Sequence, residues 1–492
     1  MLAAVAAAML PTLRSAFPIG AHDQLIRAAT VPDEDEALRV ALRWLAENDI
    51  DAVTFREHRL LFAVMDRFGA RLAGHAAYPR LVGLQRMLWS RAAMGRREVE
   101  PALGRLVAEG VPVLAIKGAA RIASNRSNAR ARSGWDTDIA VPRGRMGDAF
   151  DVLVADDWTP RGGPSPHYVR THLGVMRSLN LYRGRVGDID LHGSPFHPGH
   201  GGEREDEALW RRTVPARLDG HAVLCPAPED SLAIAIGHGG ISAHEHSDWM
   251  VDAVAFMSAP EFDWDLFMQI ADARSLQTPA AIALAYLAGQ CDQPVPAGVV
   301  ATLEEAARSS PLAHVAGHLL ARPREREGLV GRLARRAVEK SRKRASQRAD
   351  PLPPDRCLRV RRGAAPPLQV SAPLVTEHTL ELPADGRVGG AWHLRAVIQV
   401  PVPSVARRIE LEVNTPDFHL ARVRARKWDR RAGTLVFSIE GMLDVPEQAA
   451  SVILQARPAR LVRPQDGPAH AARYAALPFR VLAAELTRTV SR

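Results

Sequence analysis

Two aspartates stand one residue apart in the segment GWDTDIAV, residues 134–141, just ahead of a short apolar run. Residues i and i+2 of an extended strand share a face, so the carboxylates of Asp136 and Asp138 project together. Like charges that close repel, and each costs free energy when desolvated; a cation between them removes the objection. Solvated strand ends and Asx-turns also use such a pair, so its meaning depends on the flanking sequence. Two further stretches bear on it: Lys117-Gly118 at the end of the apolar run VPVLAI, and Asp190 within RVGDIDLHG. A glycine where a strand feeds a helix lets the backbone approach a ligand closely. The N–H groups and positive dipole end of such a helix favour phosphate. Two aspartates on one strand and a third on a neighbour form an all-oxygen cage suited to Mg²⁺. With ordinary carboxylate pKa values near ~3.9, all three ionise at neutral pH. A divalent ion that bridges phosphate oxygens and activates an incoming hydroxyl permits in-line nucleotidyl transfer.

The elements that must position these residues can be read from the pattern around them. From about Asp33 to Glu109 the apolar residues recur at helical spacing, as at Leu60, Leu61, Val64, Met65 and Phe68, and Gly110 reads as a helix-ending glycine. VPVLAI then reads as a buried strand, AARIAS as the start of a helix and GWDTDIAV as a second strand. PRGRMGDAFDVLVADDW is helical in pattern, followed by two strand-like stretches that end in DIDLHG. This alternation predicts an α/β (α+β) core of roughly 100 residues, with helices on either side. Helices resume at Pro228-Glu229-Asp230 and run to about Leu320. A basic stretch and the Pro-rich ADPLPPD follow, read as an exposed helix and a linker. From about Leu368 the pattern alternates as strands do, predicting a C-terminal all-β, sandwich-like domain. The expected organisation is 1–105 helical, 106–220 core, 221–325 helical, 326–367 linker and 368–492 β-sandwich-like.

Taken in order, VPVLAIKGAARIA, the spacing Arg132-x-x-x-Asp136-x-Asp138 and DIDLHG resemble a bacterial family of uncharacterised nucleotidyltransferases within the polymerase-β-like superfamily. The downstream PEDSLAIAIGH and DWMVDAVAF resemble the helical segment that follows the core in that family, so the resemblance spans about residues 40 to 275. It implies metal ligands at Asp136 and Asp138, with Asp190 as a third carboxylate that assists the metal or deprotonates the attacking hydroxyl. Asp188 is the rival for that role, but Asp190 is the aspartate that precedes Leu191-His192. Lys117, Gly118 and Arg132 match the remaining motif positions and would face the triphosphate. The superfamily's usual glycine-serine pair is replaced here by Lys117-Gly118-Ala119, and Ile139-Ala140 stand where bulkier apolar residues are usual.

Composition narrows the remaining classes. A chain of 492 residues with 47% hydrophobic and 24% charged residues is a multidomain globular protein. Its net charge of +9 comes almost wholly from arginine, since lysine occurs only at Lys117, Lys340, Lys343 and Lys427. That bias resembles a high-GC bacterial codon usage and weakens the inference of a nucleic-acid partner. A lysine at an apolar strand end is unexpected in such a chain, and a compact ammonium suits point contact with phosphate; a strand-end lysine whose stem covers apolar surface is the simpler alternative. Cys225, Cys291 and Cys357 form neither a disulfide framework nor a metal knuckle, which points to a reducing cytoplasm. No run approaches a membrane span, and MLAAVAAAML makes a poor signal peptide. The histidines of HGSPFHPGHGG and HGGISAHEH match no familiar zinc spacing; His192 reads as a group beside the carboxylates or facing substrate, and His238 as a packing residue. Trp249 and Asp252 read as structural. The expected function is a cytoplasmic, Mg²⁺-dependent nucleotidyltransferase that moves a nucleoside monophosphate from an NTP, ATP foremost, to a small-molecule or protein acceptor. A catalytically idle nucleotide- or peptide-binding module of the same fold is the alternative. An RNA-binding or RNA-tailing role is weaker, because 5% aromatic residues leave little to stack on bases.

Overall fold

The computed structural model describes residues 10–124, 134, 136–160, 169–170, 173–174, 176–242, 247–349, 358–362, 373–382, 390–401, 408–416, 419–426, 434–446, 449–458 and 477–488. They fall into two compact units: Met1–Ala149 with Val186–Ala349, and Phe150–Arg185 with Asp350–Arg492.

The first unit begins with helices whose ends are written in the sequence. Asp33 caps the helix Glu34–Glu47 by accepting the N–H groups of Asp35 and Glu36. Thr54 and Glu57 cap the helix Phe55–Phe68 reciprocally. The five apolar residues that predict this second helix are all buried. Next comes a 31-residue helix, Tyr78–Ala108, which tolerates Pro101 in its interior and stops ahead of Gly110 at φ +64°. Its approach to the sheet is close. At Gly104 an added Cβ would lie 2.8 Å from Cε1 of His221, so any larger residue would have to displace that imidazole.

The chain then enters strands β1 (Leu114–Ala115), β2 (Thr137–Ala140), β3 (Thr159–Pro160), β4 (Ser178–Arg183), β5 (Gly187–His192), β6 (Val214–Leu218) and β7 (His221–Cys225). Within the first unit β5, β2, β1, β7 and β6 lie side by side in that order. β2 runs parallel to β5 and antiparallel to β1, and β1 runs parallel to β7. β6 and β7 form a hairpin whose two turn residues, Asp219 and Gly220, both have positive φ, as a tight hairpin turn requires. β1 is short, but backbone bonds from Leu224 N–H to Val113 O and from Ile116 N–H to Asp138 O extend its pairing on both sides. Leu114, Ile116 and Ala140 from these strands join Leu232, Ile234, Met250 and Phe256 from helices Pro228–Gly239 and Trp249–Met257 in one apolar core. Between those helices Gly239 is obligatory, because a Cβ there would stand 2.1 Å from the Trp249 ring. The basic stretch begins as the helix Leu329–Ala349, where Arg335 is held 2.6 Å from Glu327 and 2.5 Å from Glu339.

In the second unit β3 pairs antiparallel with β4. Its larger part is built from β8 (Leu358–Arg362), β9 (His378–Glu381), β10 (Gly390–Pro401), β11 (Arg408–Asn414), β12 (His419–Arg426), β13 (Thr434–Val445), β14 (Ser451–Pro458) and β15 (Arg480–Arg488). These make two antiparallel four-stranded sheets, ordered β15-β10-β13-β8 and β12-β11-β14-β9. Alternate residues such as Leu394, Ile398, Phe437, Leu411 and Leu454 enter one shared core, the arrangement of a β-sandwich. β8 falls within the range read as linker, yet it pairs with β13 from Leu358↔Gly441 to Arg362↔Phe437. Its alternation is brief and arginine-rich, so composition hid it. The architecture is thus a mixed α/β core with flanking helices plus a separate antiparallel β domain. Among the described residues no helix is long and apolar enough to cross a membrane. Cys225 and Cys291 are buried free thiols, and Cys357 lies outside the described residues.

Candidate active site

The parallel pairing of β2 with β5 sets the site. Asp138 and Asp190 are register partners, so their side chains leave the sheet on one face, side by side. His192 lies two residues beyond Asp190 on β5 and shares that face. Each of the three offers a donor atom within 4.8 Å of the others. Nε2 of His192 stands 2.9 Å from Oδ2 of Asp190 and 3.4 Å from Oδ1 of Asp138, and the imidazole is wholly buried. Lys117 completes the group, with Nζ 2.5 Å from Asp138 Oδ1 and 3.8 Å from Asp190 Oδ2.

The electrostatics follow from this crowding. Burial opposes ionisation of Asp138, yet the Lys117 ammonium and His192 more than offset it, and the carboxyl titrates well below the ordinary carboxylate range. Asp190 is likewise held low against its burial, chiefly by His192. Asp136 behaves in the opposite way. The negative charge of Asp138 raises its pKa, with partial loss of water around the carboxylate adding to the effect although the residue keeps an exposed surface, while Lys117 and Arg59 pull it down. Two neighbouring carboxylates with pKa values driven apart are a mark of functional sites.

Helices of the same unit close in around the cluster. Arg59, on the helix Phe55–Phe68, reaches Oδ2 of Asp248 at 2.7 Å. Burial disfavours its charge, and the carboxylates of Asp136, Asp252 and Asp138 support it. Arg121, on the helix Lys117–Ala123, pairs with Asp252 at 2.9 Å with both side chains buried. On the other flank His238 meets the Pro195 carbonyl at 2.6 Å, and its ring centroid lies 4.7 Å from that of His197 and 6.1 Å from that of His192.

Of the residues singled out from sequence, Asp138, Asp190 and Lys117 meet directly. Asp136, read from sequence as sharing a strand with Asp138, stands in a bend just ahead of β2; the residue is exposed and feels the charge of Asp138 and Asp190. Gly118 is buried in the helix Lys117–Ala123. Arg132 lies outside the described residues, as do His244 and His246 of the second histidine-rich stretch. Asp188 sits one pleat further from the cluster than Asp190, and its charge is felt by Arg91. Asp252, read as structural from sequence, is buried in its ion pair with Arg121. Two residues carry more than sequence reading assigned. His192 belongs to the donor group itself, and the signal was present in Asp190-Leu191-His192, an i, i+2 pair on a strand. Arg59 comes from a helix some 80 positions upstream of Asp138, and nothing in its local pattern marks it.

Residues 56–289 match the model of the family described as uncharacterised nucleotidyltransferase. Among curated proteins there is no match. The solution structure of the antibiotic-resistance factor ANT(2'')-Ia is similar at 14% identity and a TM-score of 0.23, over 44% of this chain and 93% of that one.

Proposed function

We propose that the cleft on β2 and β5 transfers a nucleoside monophosphate from an NTP, ATP foremost, to an acceptor hydroxyl or phosphate with a divalent cation as cofactor, a reading supported by the match of residues 56–289 to the uncharacterised nucleotidyltransferase family model. The family match supports nucleotidyl transfer as the role. The observation that carries the cation is the cross-strand pair of Asp138 and Asp190 with buried His192 beside it. Oδ1 of Asp190 and Nδ1 of His192 are buried with no hydrogen-bond partner. Polar atoms left so normally cost free energy, and a cation would satisfy them. An idle module has no physical need to set carboxylate against carboxylate in a desolvated cleft.

In this reading Asp138 and Asp190 hold the cation, with Asp136 as a further carboxylate and His192 as a nitrogen donor behind them. Mg²⁺ suits the carboxylates, and the imidazole extends the range to Mn²⁺. When bound, the cation supplies charge neutralisation to phosphate oxygens and lowers the pKa of an attacking hydroxyl. The protein's own groups do the rest. Asp190, kept ionised by His192, accepts the proton of the incoming hydroxyl. Lys117 and Arg132 provide positive charge toward the phosphates, and Gly118 leaves the backbone open to them. Arg59 steadies Asp136 from the helical side. The acceptor is a small molecule or a protein group rather than nucleic acid, and the cytoplasm supplies both NTP and cation.

The test is incubation of the full chain with radiolabelled NTPs and Mg²⁺ or Mn²⁺ in the presence of cell extract, together with thermal melts. Cation and NTP added together should raise the melting temperature by mass action, and a labelled product should appear. Asp136→Asn combined with Asp138→Asn should remove both effects and leave the fold intact. An unchanged nucleotide-dependent shift in that double variant would sink the assignment.

A further inference from the structure

Lys117 is built into the cluster in an unusual way. Its backbone has φ +53°, a left-handed conformation that an L-residue with a long side chain adopts at a cost. Glycine or asparagine would sit there more easily, so the ammonium is what the position retains. The residue before it is pinned on both sides. Ile116 N–H donates to Asp138 O at 3.2 Å, and Ile116 O accepts from Ala119 and Ala120 at 3.1 and 3.3 Å. Lys117 therefore leaves β1 immediately beside Asp138, and the left-handed turn places its ammonium 2.5 Å from Asp138 Oδ1 and 3.8 Å from Asp190 Oδ2. That is the ground a divalent cation held by the same two carboxylates must share. The Lys117 side chain is 21% exposed, so it has an outlet toward solvent without movement of its backbone.

We infer that Lys117 is a built-in counter-ion that guards the carboxylate pair: a divalent cation enters only as the ammonium leaves, and a nucleotide triphosphate draws it away. This rests on the cation-binding reading of the cleft and adds a rule for how the cleft fills. An ammonium and a divalent cation on one carboxylate repel each other strongly where water is scarce. The cation alone must pay for that repulsion or for moving the lysine. A triphosphate offers Lys117 a new anionic partner, and the strained backbone gains nothing from keeping the old one. Cation and nucleotide are thereby coupled through one side chain, reciprocally, as binding linkage demands. A lysine that merely touches phosphate would leave the affinity for cation alone unchanged.

The test measures Mn²⁺ binding to the full-length protein by calorimetry and electron paramagnetic resonance, without nucleotide and then with the non-hydrolysable probe α,β-methylene-ATP. Lys117→Met keeps a long unbranched side chain without charge, and should bind Mn²⁺ alone on the order of tenfold more tightly than the parent. Because Lys117→Met leaves the Asp138 carboxylate without its partner, which lowers stability, Lys117→Gly serves as a second variant whose backbone suits the left-handed turn; it should show the same tightening. Lys117→Arg keeps the charge and should bind Mn²⁺ alone as weakly as the parent. If the parent binds Mn²⁺ in the presence of the probe but neither neutral variant tightens nucleotide-free binding, the guarding role is overturned and the cation site stands. If the parent binds no Mn²⁺ even with the probe, the cation reading falls and the inference falls with it.

Discussion

Two strands of this protein, β11 and β5, carry acids at i, i+2, and they come to opposite ends. On β11, Glu410 and Glu412 alternate with Ile409 and Leu411 and are buried at 7% and 0% exposure. Their register partners are basic or neutral: Arg424 and Arg457 for Glu410, Arg422 and Gln455 for Glu412. Nη1 of Arg422 stands 3.8 Å from Oε2 of Glu410, and an opposite charge across the sheet is the ordinary way to stabilise a buried acid on a strand. On β5 the register partner of Asp190 is another aspartate, Asp138, and the nearest basic groups are a lysine held at positive φ and a buried histidine. One arrangement is finished when the chain folds. The other sets carboxylate beside carboxylate across the sheet and offsets them with Lys117 and His192 instead of with register partners. The difference lies in the cross-strand neighbour, and no single strand read alone contains it.

The largest effect should separate the two regions outright. Asp190→Asn should cut labelled nucleotidyl transfer on the order of a thousandfold while the melting curve stays cooperative. Glu410→Gln should do the reverse: stability falls by about 1–3 kcal/mol in urea unfolding, because its ion pair with Arg422 is left half made, and cation binding is untouched. Loss of cation binding in Glu410→Gln would erase the contrast between a settled sheet and a working cleft. A smaller effect sharpens the cleft itself. His192→Asn should weaken cation binding by about 10–100-fold if the imidazole is a donor or orients one, with Mn²⁺ losing more than Mg²⁺ because nitrogen suits it better. Equal affinity for both ions before and after the change would return His192 to a packing role.

The same comparison explains what could be read in advance. The strings around β2 and β5 alternate or run apolar over lengths that only strands satisfy, and the capping residues Asp33 and Thr54 announce their helices, so the mixed α/β core with a β-sandwich was legible. The aspartates were legible as candidates because i, i+2 spacing fixes a face. Which strand faces which is a long-range fact, and Asp138 opposite Asp190 needed the parallel pairing of β2 and β5. The left-handed backbone of Lys117 was hidden for a different reason: sequence statistics assign such a conformation to glycine or asparagine, and here tertiary pinning of Ile116 overrides them. Arg59 and the β8 strand were hidden because their meaning lies wholly in partners distant along the chain.

The smallest effect is a matter of sign, and it tests the claim that the cleft is held in tension. Asp136 titrates above the ordinary value near 3.8, mainly because Asp138 is negative beside it. The folded protein therefore holds the Asp136 proton more tightly than the unfolded chain does. As pH rises from the unfolded value through the folded one, stability is lost, and the loss persists at neutral pH. Asp138 and Asp190 titrate below that value, so their contribution is fully present above it and disappears as pH falls through their folded pKa values. Metal-free Asp136→Asn should then melt higher than the parent at neutral pH, and Asp138→Asn should melt lower. Because the Asp136 side chain is exposed, solvent screening keeps the gain within about 1 kcal/mol. Both differences should shrink in acid, once Asp136 is protonated in both states and, at lower pH still, Asp138 as well. Adding Mn²⁺ with α,β-methylene-ATP should reverse the first sign, since the parent then gains a ligand that the variant binds less well. If Asp136→Asn is destabilising at every pH without cation, Asp136 is already reconciled in the folded chain, and the cleft resembles β11 more closely than its register suggests.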